Sequence, residues 1–346
     1  METQAVHTRD MIVIGASAGG VEALKNLVGD LSSDLKATLF VALHLPSQGT
    51  SFLPKILQRN GPLPATHPDD GEPIRRGHIY AAPPDRHLVL RDGKIHLSKG
   101  PRENGFRPAI DPLFRSAART YGSRVIGVIL SGMLGDGSGG LKSIKLAGGI
   151  AIVQDPQEAT FSDMPLNAVE SVAVDYILPV AGIAATIKQL TEQPVRQRRG
   201  APMPDEAEKE REIVKQDLRQ FETGGNPRLA SVLTCPECGG VMWELDDGEL
   251  VKYRCHVGHA FSTESLLNEQ AETLEAALWS AIRALEERAA LLKRMAARCH
   301  EHGSMFSEQR FSEQAKDAEQ NADLIRTVLL NGRRNAVDVD EEADNE

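Results

Sequence analysis

Two groups of side chains in this sequence are of a type and spacing that could do chemistry. One is an alcohol, an imidazole and a carboxylate far apart in the chain: Ser17, His44 and Asp136. A hydroxyl is a poor nucleophile unless a base takes its proton. An imidazole does that best near neutral pH, and a carboxylate fixes its tautomer and stabilises the imidazolium. The other group is compact and rich in thiols. Cys235-Pro236-Glu237-Cys238-Gly239-Gly240 is a C-x-x-C knuckle, and Tyr253-Arg254-Cys255-His256-Val257-Gly258-His259 supplies a second cluster of donors. Two knuckles so spaced suit a zinc ribbon, in which Zn²⁺ takes four N and S ligands tetrahedrally. The ligand set read from the spacing is Cys235, Cys238, Cys255 and His259, with His256 competing for the fourth place. A structural zinc is expected, because a module this short cannot bury enough core without a staple. A redox C-x-x-C would want its own βαβ context.

The first group needs a fold that brings its members together. Met11-Ile12-Val13-Ile14 reads as a buried strand of a parallel sheet, and Val21-Glu22-Ala23-Leu24 opens a helical pattern after it. Between them Gly15-Ala16-Ser17-Ala18-Gly19 fits G-x-S-x-G, the nucleophile elbow that lifts a serine above the carboxyl end of a sheet. A second strand, Ala37–Leu43, ends in His44. A third, Arg124–Leu130, ends in Ser131-Gly132-Met133-Leu134-Gly135-Asp136-Gly137. Ligands in open α/β sheets sit beyond the carboxyl ends of the strands, which is where all three residues fall. The glycines after Leu130 also let backbone N–H groups point at a developing oxyanion. The N–H of Met133 is the first choice, and that of Ala18, next to the nucleophile, the second.

Other readings of the same residues stand beside this one. A glycine-rich turn between strand and helix also cradles phosphates, but the dinucleotide fingerprint wants an acidic residue ending the second strand, where this chain has His44. Ser17 could cap the helix, His44 could hydrogen-bond a neighbouring loop, and Asp136 before Gly137 could be a turn aspartate.

Strands alternating with helices up to Leu190 imply an α/β fold with a doubly wound, mainly parallel sheet. Asp92-Gly93 between two alternating segments adds a β-hairpin. Asp111-Pro112 is expected to start a helix as N-cap and first helical residue. The chain of 346 residues exceeds what one core usually serves. The segments read as 9–192, the α/β domain; 193–230, a charged linker with a helix; 231–262, the metal-ribbon module; 263–332, α-helices forming a hairpin or coiled coil; and 333–346, a disordered acidic tail. In the helical segment Leu267, Ala271, Leu274, Leu278, Ala281, Leu285, Arg288, Leu292, Met295 and Cys299 make a heptad seam, for a self-contained hairpin or for a dimer or partner helix.

A net charge of −10 excludes a general nucleic-acid binder, and no basic–aromatic surface supports nucleic acid as partner of the ribbon. No apolar run suits membrane insertion. The clustered cysteines and the lack of a signal-peptide pattern point to the cytoplasm.

Ile14–Gly20, Leu43-His44-Leu45-Pro46 and Ser131–Gly137, in that order, resemble the motifs of the chemotaxis protein-glutamate methylesterase (CheB-type) catalytic domain. Tyr80–His87, Arg107–Phe114 and Val153-Gln154-Asp155 through Met164-Pro165 are similar too, so the resemblance covers roughly residues 9–190. It implies hydrolysis of glutamate γ-methyl esters on chemoreceptors, deamidation of receptor glutamines, and no cofactor for catalysis. It makes Ser17 the nucleophile, His44 base then acid, and Asp136 the group that orients His44. His87 and Arg107 are its candidates for lining the substrate groove. The receiver domain of many family members is not expected here, since the elbow strand begins almost at once. The rival of another class is a non-catalytic signalling adaptor that binds through the ribbon and helices.

Overall fold

The computed structural model describes residues 6–46, 49–196, 230–246 and 251–343. They fall into two compact units, residues 1–266 and 267–346. The first unit opens with β1 (Val6–Thr8), β2 (Met11–Ala16), α1 (Gly20–Gly29), β3 (Thr38–Leu43) and α2 (Leu53–Asn60). Short strands β4 (Ala65–Thr66), β5 (Glu72–Pro73) and β6 (Ile79–Ala81) lead to the hairpin of β7 (His87–Arg91) and β8 (Lys94–Ser98). Then come α3 (Ile110–Tyr121), β9 (Val125–Ile129), α4 (Ser138–Leu146), β10 (Ile150–Gln154), α5 (Asp163–Ser171), β11 (Tyr176–Leu178), α6 (Val180–Glu192) and β12 (Pro194–Arg196).

Seven strands form one parallel sheet in the order β11-β10-β9-β2-β3-β6-β4. The apolar run of β2 puts it at the centre, buried along its whole length. Its alternate residues serve two cores. Ile12, Ile14 and Ala16 pack with α1, α2 and α6, while Met11 and Val13 pack with α3, α4, α5 and the β7–β8 hairpin. Helices on both faces are what a parallel sheet requires. Each fully buried Leu, Ile or Val here contributes about 1.5–3 kcal/mol.

The hairpin turns at Asp92-Gly93, both with positive φ, as the sequence pattern predicts. Two expectations need correction in this region. The α/β domain starts earlier than residue 9, and residues 194–196 are not linker: β1 and β12 pair antiparallel and close the first unit on itself. Helix α3 begins at Ile110 with Ala109 as N-cap, so Asp111 sits inside the first turn and does not cap it.

Strands β13 (Ala230–Thr234), β14 (Val241–Asp246), β15 (Val251–Cys255) and β16 (Ala260–Ser262) make a four-stranded antiparallel sheet in sequence order. Most of the charged linker, with its expected helix at Asp205–Glu222, lies outside the described residues.

Helices α7 (Thr263–Glu301) and α8 (Met305–Ala343) follow, joined at a turn whose Gly303 has φ 71°. In the second unit Lys293 meets Glu319, Glu286 meets Arg326, and His300 meets Glu308, the register of an antiparallel pair. The buried residues of α7 there are Ile282, Ala289, Leu292 and Ala296, facing Ala315, Ala318 and Ala322 of α8. Leu292 belongs to the expected seam, but Leu267, Leu274 and Met295 are exposed. Alanines at 289 and 296 allow close approach, so the pair turns that edge inward and leaves Arg288 and Met295 outside. Helix α8 is continuous to Ala343, and residues 344–346 of the expected acidic tail lie outside the described residues. Among the described residues no helix is long and apolar enough to cross a membrane.

Candidate active site

The turn after β2 is tight in two ways. Gly19 has φ 71°, and a Cβ there would lie 2.7 Å from Ser131 Oγ, so only glycine fits. Ser17 is thereby set at the strand's end, with its N–H donating to the Ser131 carbonyl at 3.0 Å. Ser131 is itself fixed: its N–H donates to Gln154 Oε1 at 2.8 Å and its hydroxyl to the Ala18 carbonyl at 2.9 Å. The elbow is thus tied to the ends of β9 and β10.

Ser17 Oγ lies 3.0 Å from His44 Nδ1, and His44 Nε2 lies 2.8 Å from Asp136 Oδ2. With Asp136 ionised, Nε2 carries the proton and donates, leaving the Nδ1 lone pair for the serine hydroxyl. The side chains of His44 and Asp136 are 3% and 1% exposed, so the chain of hydrogen bonds runs from a half-buried serine into a dry interior. The Phe106 ring stacks on the imidazole, centroids 3.6 Å apart and planes within 7°.

Asp136 is held from several sides. Its carboxylate accepts the N–H of Ile110 at 2.7 Å, that of Asp111 at 3.3 Å and the Asn104 amide at 2.9 Å. It therefore caps α3 from a distant part of the chain, where the helix dipole favours a negative charge. The close approach of α3 depends on Gly15, whose Cβ would fall 2.5 Å from Ile110. Burial works against the charge on Asp136, but the hydrogen bond and charge of His44 and the donors from Ile110 and Asn104 keep its carboxyl below the usual value. Next to it Asp111 goes the other way. Burial first, and then the charge of Asp136, push it up to about 6. Its Oδ1 accepts the N–H of Gly140 at 2.6 Å, so it caps α4.

The loop after β9 leaves Met133 exposed, with Leu134 at φ 64°. The backbone N–H groups of Met133 and Ala18 donate to no group among the described residues, so both are free to bind an oxyanion. Phe161, beside them through the Gly132 N–H to Phe161 carbonyl bond, is also exposed.

His87 and Arg107, which the resemblance offers for lining the substrate groove, are both bonded to the 99–109 segment. His87 is buried, with Nε2 donating to the Pro101 carbonyl and Nδ1 accepting the Ala109 N–H, and burial pushes its pKa down. The Arg107 guanidinium is committed to Asp85 Oδ1 and to the carbonyls of Lys99 and Gly100. Both hold the 99–109 segment in place. The sequence gives no site role to Asn104, Phe106, Asp111 or Gln154, although Asn104 opens an Asn-Gly turn and Asp111-Pro112 reads as a helix start.

In the cysteine module Cys235, Cys238, Cys255 and His259 present ligand atoms all within 4.8 Å of one another, and His256 points elsewhere, against Gly240. The Cys238–Cys255 sulfur separation is 3.7 Å, and His259 Nδ1 is 3.6 Å from both Cys235 and Cys255 Sγ. A tetrahedral Zn²⁺ with ordinary bond lengths needs edges of about 3.8 Å between sulfurs and about 3.6 Å from sulfur to nitrogen. The donor set fits that ion in chemistry and size.

A family model described as CheB methylesterase matches residues 12–187. A putative protein-glutamate methylesterase/protein-glutamine glutaminase of Leptospira interrogans is 37% identical over 190 residues, which are 55% of this chain and 98% of that protein. A protein-glutamate methylesterase/protein-glutamine glutaminase of Anaeromyxobacter dehalogenans is 41% identical over 182 residues, 53% of each chain. The crystal structure of the Thermotoga maritima CheB methylesterase catalytic domain aligns with TM-score 0.50 and 34% identity, covering 52% of this chain and 98% of that one. The family match spans most of the parallel sheet with its helices and ends before the cysteine module.

Proposed function

The chain belongs to the CheB methylesterase family, and from that premise we propose that it is a serine hydrolase that removes methyl esters from glutamate side chains of chemoreceptors. The observation that carries this reading is the hydrogen-bonded run Ser17–His44–Asp136 at the carboxyl rim of the sheet. Ser17 Oγ attacks the ester carbonyl while its proton passes to His44 Nδ1. The imidazolium is stabilised by the buried Asp136 carboxylate. The N–H groups of Met133 and Ala18 bind the oxyanion of the tetrahedral intermediate. On collapse the carbon–oxygen bond to methanol breaks, and His44 returns the proton to the leaving methoxide. A water then attacks the acyl-serine with His44 as base, releasing the glutamate carboxylate and restoring Ser17. The same steps on a glutamine amide release ammonia. No step uses a cofactor.

The substrate partner in this reading is a methylated receptor helix, which meets the exposed Met133 and Phe161 beside the serine. The protein works in chemotaxis-type signal transduction in the cytoplasm, where thiols stay reduced and free to bind metal. Cys235, Cys238, Cys255 and His259 hold a structural zinc, which supplies the small antiparallel sheet with the cohesion its core lacks. Exposed Leu267, Leu274 and Met295, at multiples of seven residues, offer a face for self-association or a partner helix.

Incubating the protein with methylated receptor and measuring released methanol tests the reading. Turnover by the wild type and none by Ser17→Ala is the expected result. A Ser17→Ala variant as active as the wild type overturns it.

A further inference from the structure

The segment between the hairpin and α3 folds against the cysteine module, and it carries two residues that touch the catalytic chain. Asn104-Gly105 have φ 53° and 80°, and Glu103 and Phe106 pair across them by two backbone hydrogen bonds. This is a two-residue turn of the I′ kind, a conformation that Asn-Gly favours. Asn104 is buried, and its carboxamide bridges two parts of the first unit. Nδ2 donates to Asp136 Oδ1 at 2.9 Å, and Oδ1 accepts the Ser262 N–H at 2.8 Å. Phe106, on the far side of the turn, supplies the ring stacked on His44.

The module grips the same turn at points adjacent to its cysteine and histidine ligands. The Asn104 N–H donates to the carbonyl of Ala260, the residue after His259, at 2.7 Å. The Ala260 N–H donates to the Arg102 carbonyl at 3.4 Å, so Glu103 and Ala260 form a parallel bridge. Arg102 Nη1 lies 3.0 Å from Glu237 Oε1, inside the C-x-x-C knuckle. Glu103 is buried between Arg115, which binds both its oxygens, and the charge of Arg254, the residue before Cys255. The conformation of the metal-ligand loops and that of the turn are therefore linked through direct contacts.

We propose that Asn104 is a positioning residue through which the metal state of the Cys235/Cys238/Cys255/His259 module sets the rate of the esterase. With the module loaded, β16 holds the turn, Asn104 fixes the rotamer of Asp136, and Phe106 keeps the imbidazole plane aligned with Ser17. Without metal the loops around Glu237 and His259 lose their common centre, β16 releases the turn, and the triad loosens. Misplacing a catalytic group by about 1 Å costs on the order of a hundredfold in rate. The proposal rests on the esterase reading above and assigns that activity a metal-responsive control inside the chain.

The test compares full-length wild type and Asn104→Gly, each as purified with zinc and after removal of zinc by a chelator. Glycine keeps the positive φ at 104 and removes both side-chain bonds. Zinc content, thermal melting, kcat and KM for methyl-ester hydrolysis are measured in all four states. The expected result is a kcat lower by about ten- to a hundredfold in Asn104→Gly with KM little changed and zinc fully bound. Zinc removal lowers wild-type kcat to a similar level and barely changes the variant further, because both changes cut one path. Restored zinc rescues the wild type alone. Asn104→Asp, which keeps the Ser262 acceptor but cannot donate to Asp136, stays slow. Losses that add, a wild type whose kcat ignores zinc removal, or an Asn104→Asp variant with wild-type kcat each overturn the proposal. Absence of esterase activity in the zinc-loaded wild type instead refutes the underlying functional reading.

Discussion

The triad and the cysteine cluster are built in opposite ways. Ser17, His44 and Asp136 lie 27 and 92 residues apart along the chain and meet because three neighbouring parallel strands, β3, β2 and β9, end at one rim. Their positions are over-determined by a large core on both sides of the sheet. The cysteine cluster is local. Its ligands fall within residues 235–259, and its core consists of little more than Met242, Phe261, Leu266 and the ligands' own side chains. The rim is carried by a large core, whereas the cluster sits in a module with little core of its own, which is why we propose a structural ion there. Removing a catalytic atom should therefore change rate and leave the fold, whereas removing a ligand should change the fold of its module.

The largest expected effect is on rate. Ser17→Ala should lower kcat by about 10⁴-fold or more, with a melting temperature within about 2 °C of the wild type, checked by methanol release and calorimetry. A large loss of stability would break the contrast, because it would make the serine part of the scaffold. Next comes the cluster. Cys235→Ser should abolish stoichiometric zinc binding, and amide exchange in β13–β16 should rise towards the unstructured rate while β2, β3 and β9 stay protected. Uniform protection would show that the small sheet stands without its ion.

A smaller effect separates two carboxylates at the rim. Asp111 is raised from 3.8 to about 6, so the folded protein holds a proton that the unfolded chain gives up above about pH 4. Its contribution to stability is full below the unfolded pKa and is lost as pH rises through about 6. Asp136 is lowered, so its contribution has the opposite sign: present above the unfolded pKa and lost as pH falls. Asp111→Asn should remove the loss of stability between about pH 4 and 6, read from urea midpoints at a series of pH values. A midpoint profile identical to that of the wild type would mean that Asp111 carries no such proton. The smallest effect distinguishes two histidines. His256→Ala should keep one zinc per chain, while His259→Ala should lose it, measured by metal analysis after dialysis.

Much of this was legible in the residues themselves. The apolar run of β2 followed by Gly15–Gly20 predicts the elbow, the end of β3 at His44 follows from an apolar run that stops at a polar residue, and Asp136 lies in the glycine-rich loop after β9. The C-x-x-C spacing gives the ligand set, and the structure sides with His259 because only its ring turns towards the thiols. Other features were hidden for a reason. Nothing local to His87 shows that the 99–109 segment folds over it and takes both its nitrogens. The helix seam was half legible, since two edges of α7 share Leu285 and Leu292, and only packing against the alanines of α8 decides between them.

The sequence by itself determined the chemical types and the local geometry: a glycine turn under a serine, strands that end in an imidazole and an acid, and thiols spaced for one ion. Those signals are short-range, because propensity, turn chemistry and ligand spacing act within a few residues. Tertiary structure alone decided which groups support the triad. Asn104 and Ile110 reach Asp136, and Phe106 covers His44, only because α3 docks on Gly15 and the cysteine module holds the Asn104 turn. Such contacts join segments far apart in the chain, and they are set by the shape of packed surfaces that no local pattern encodes.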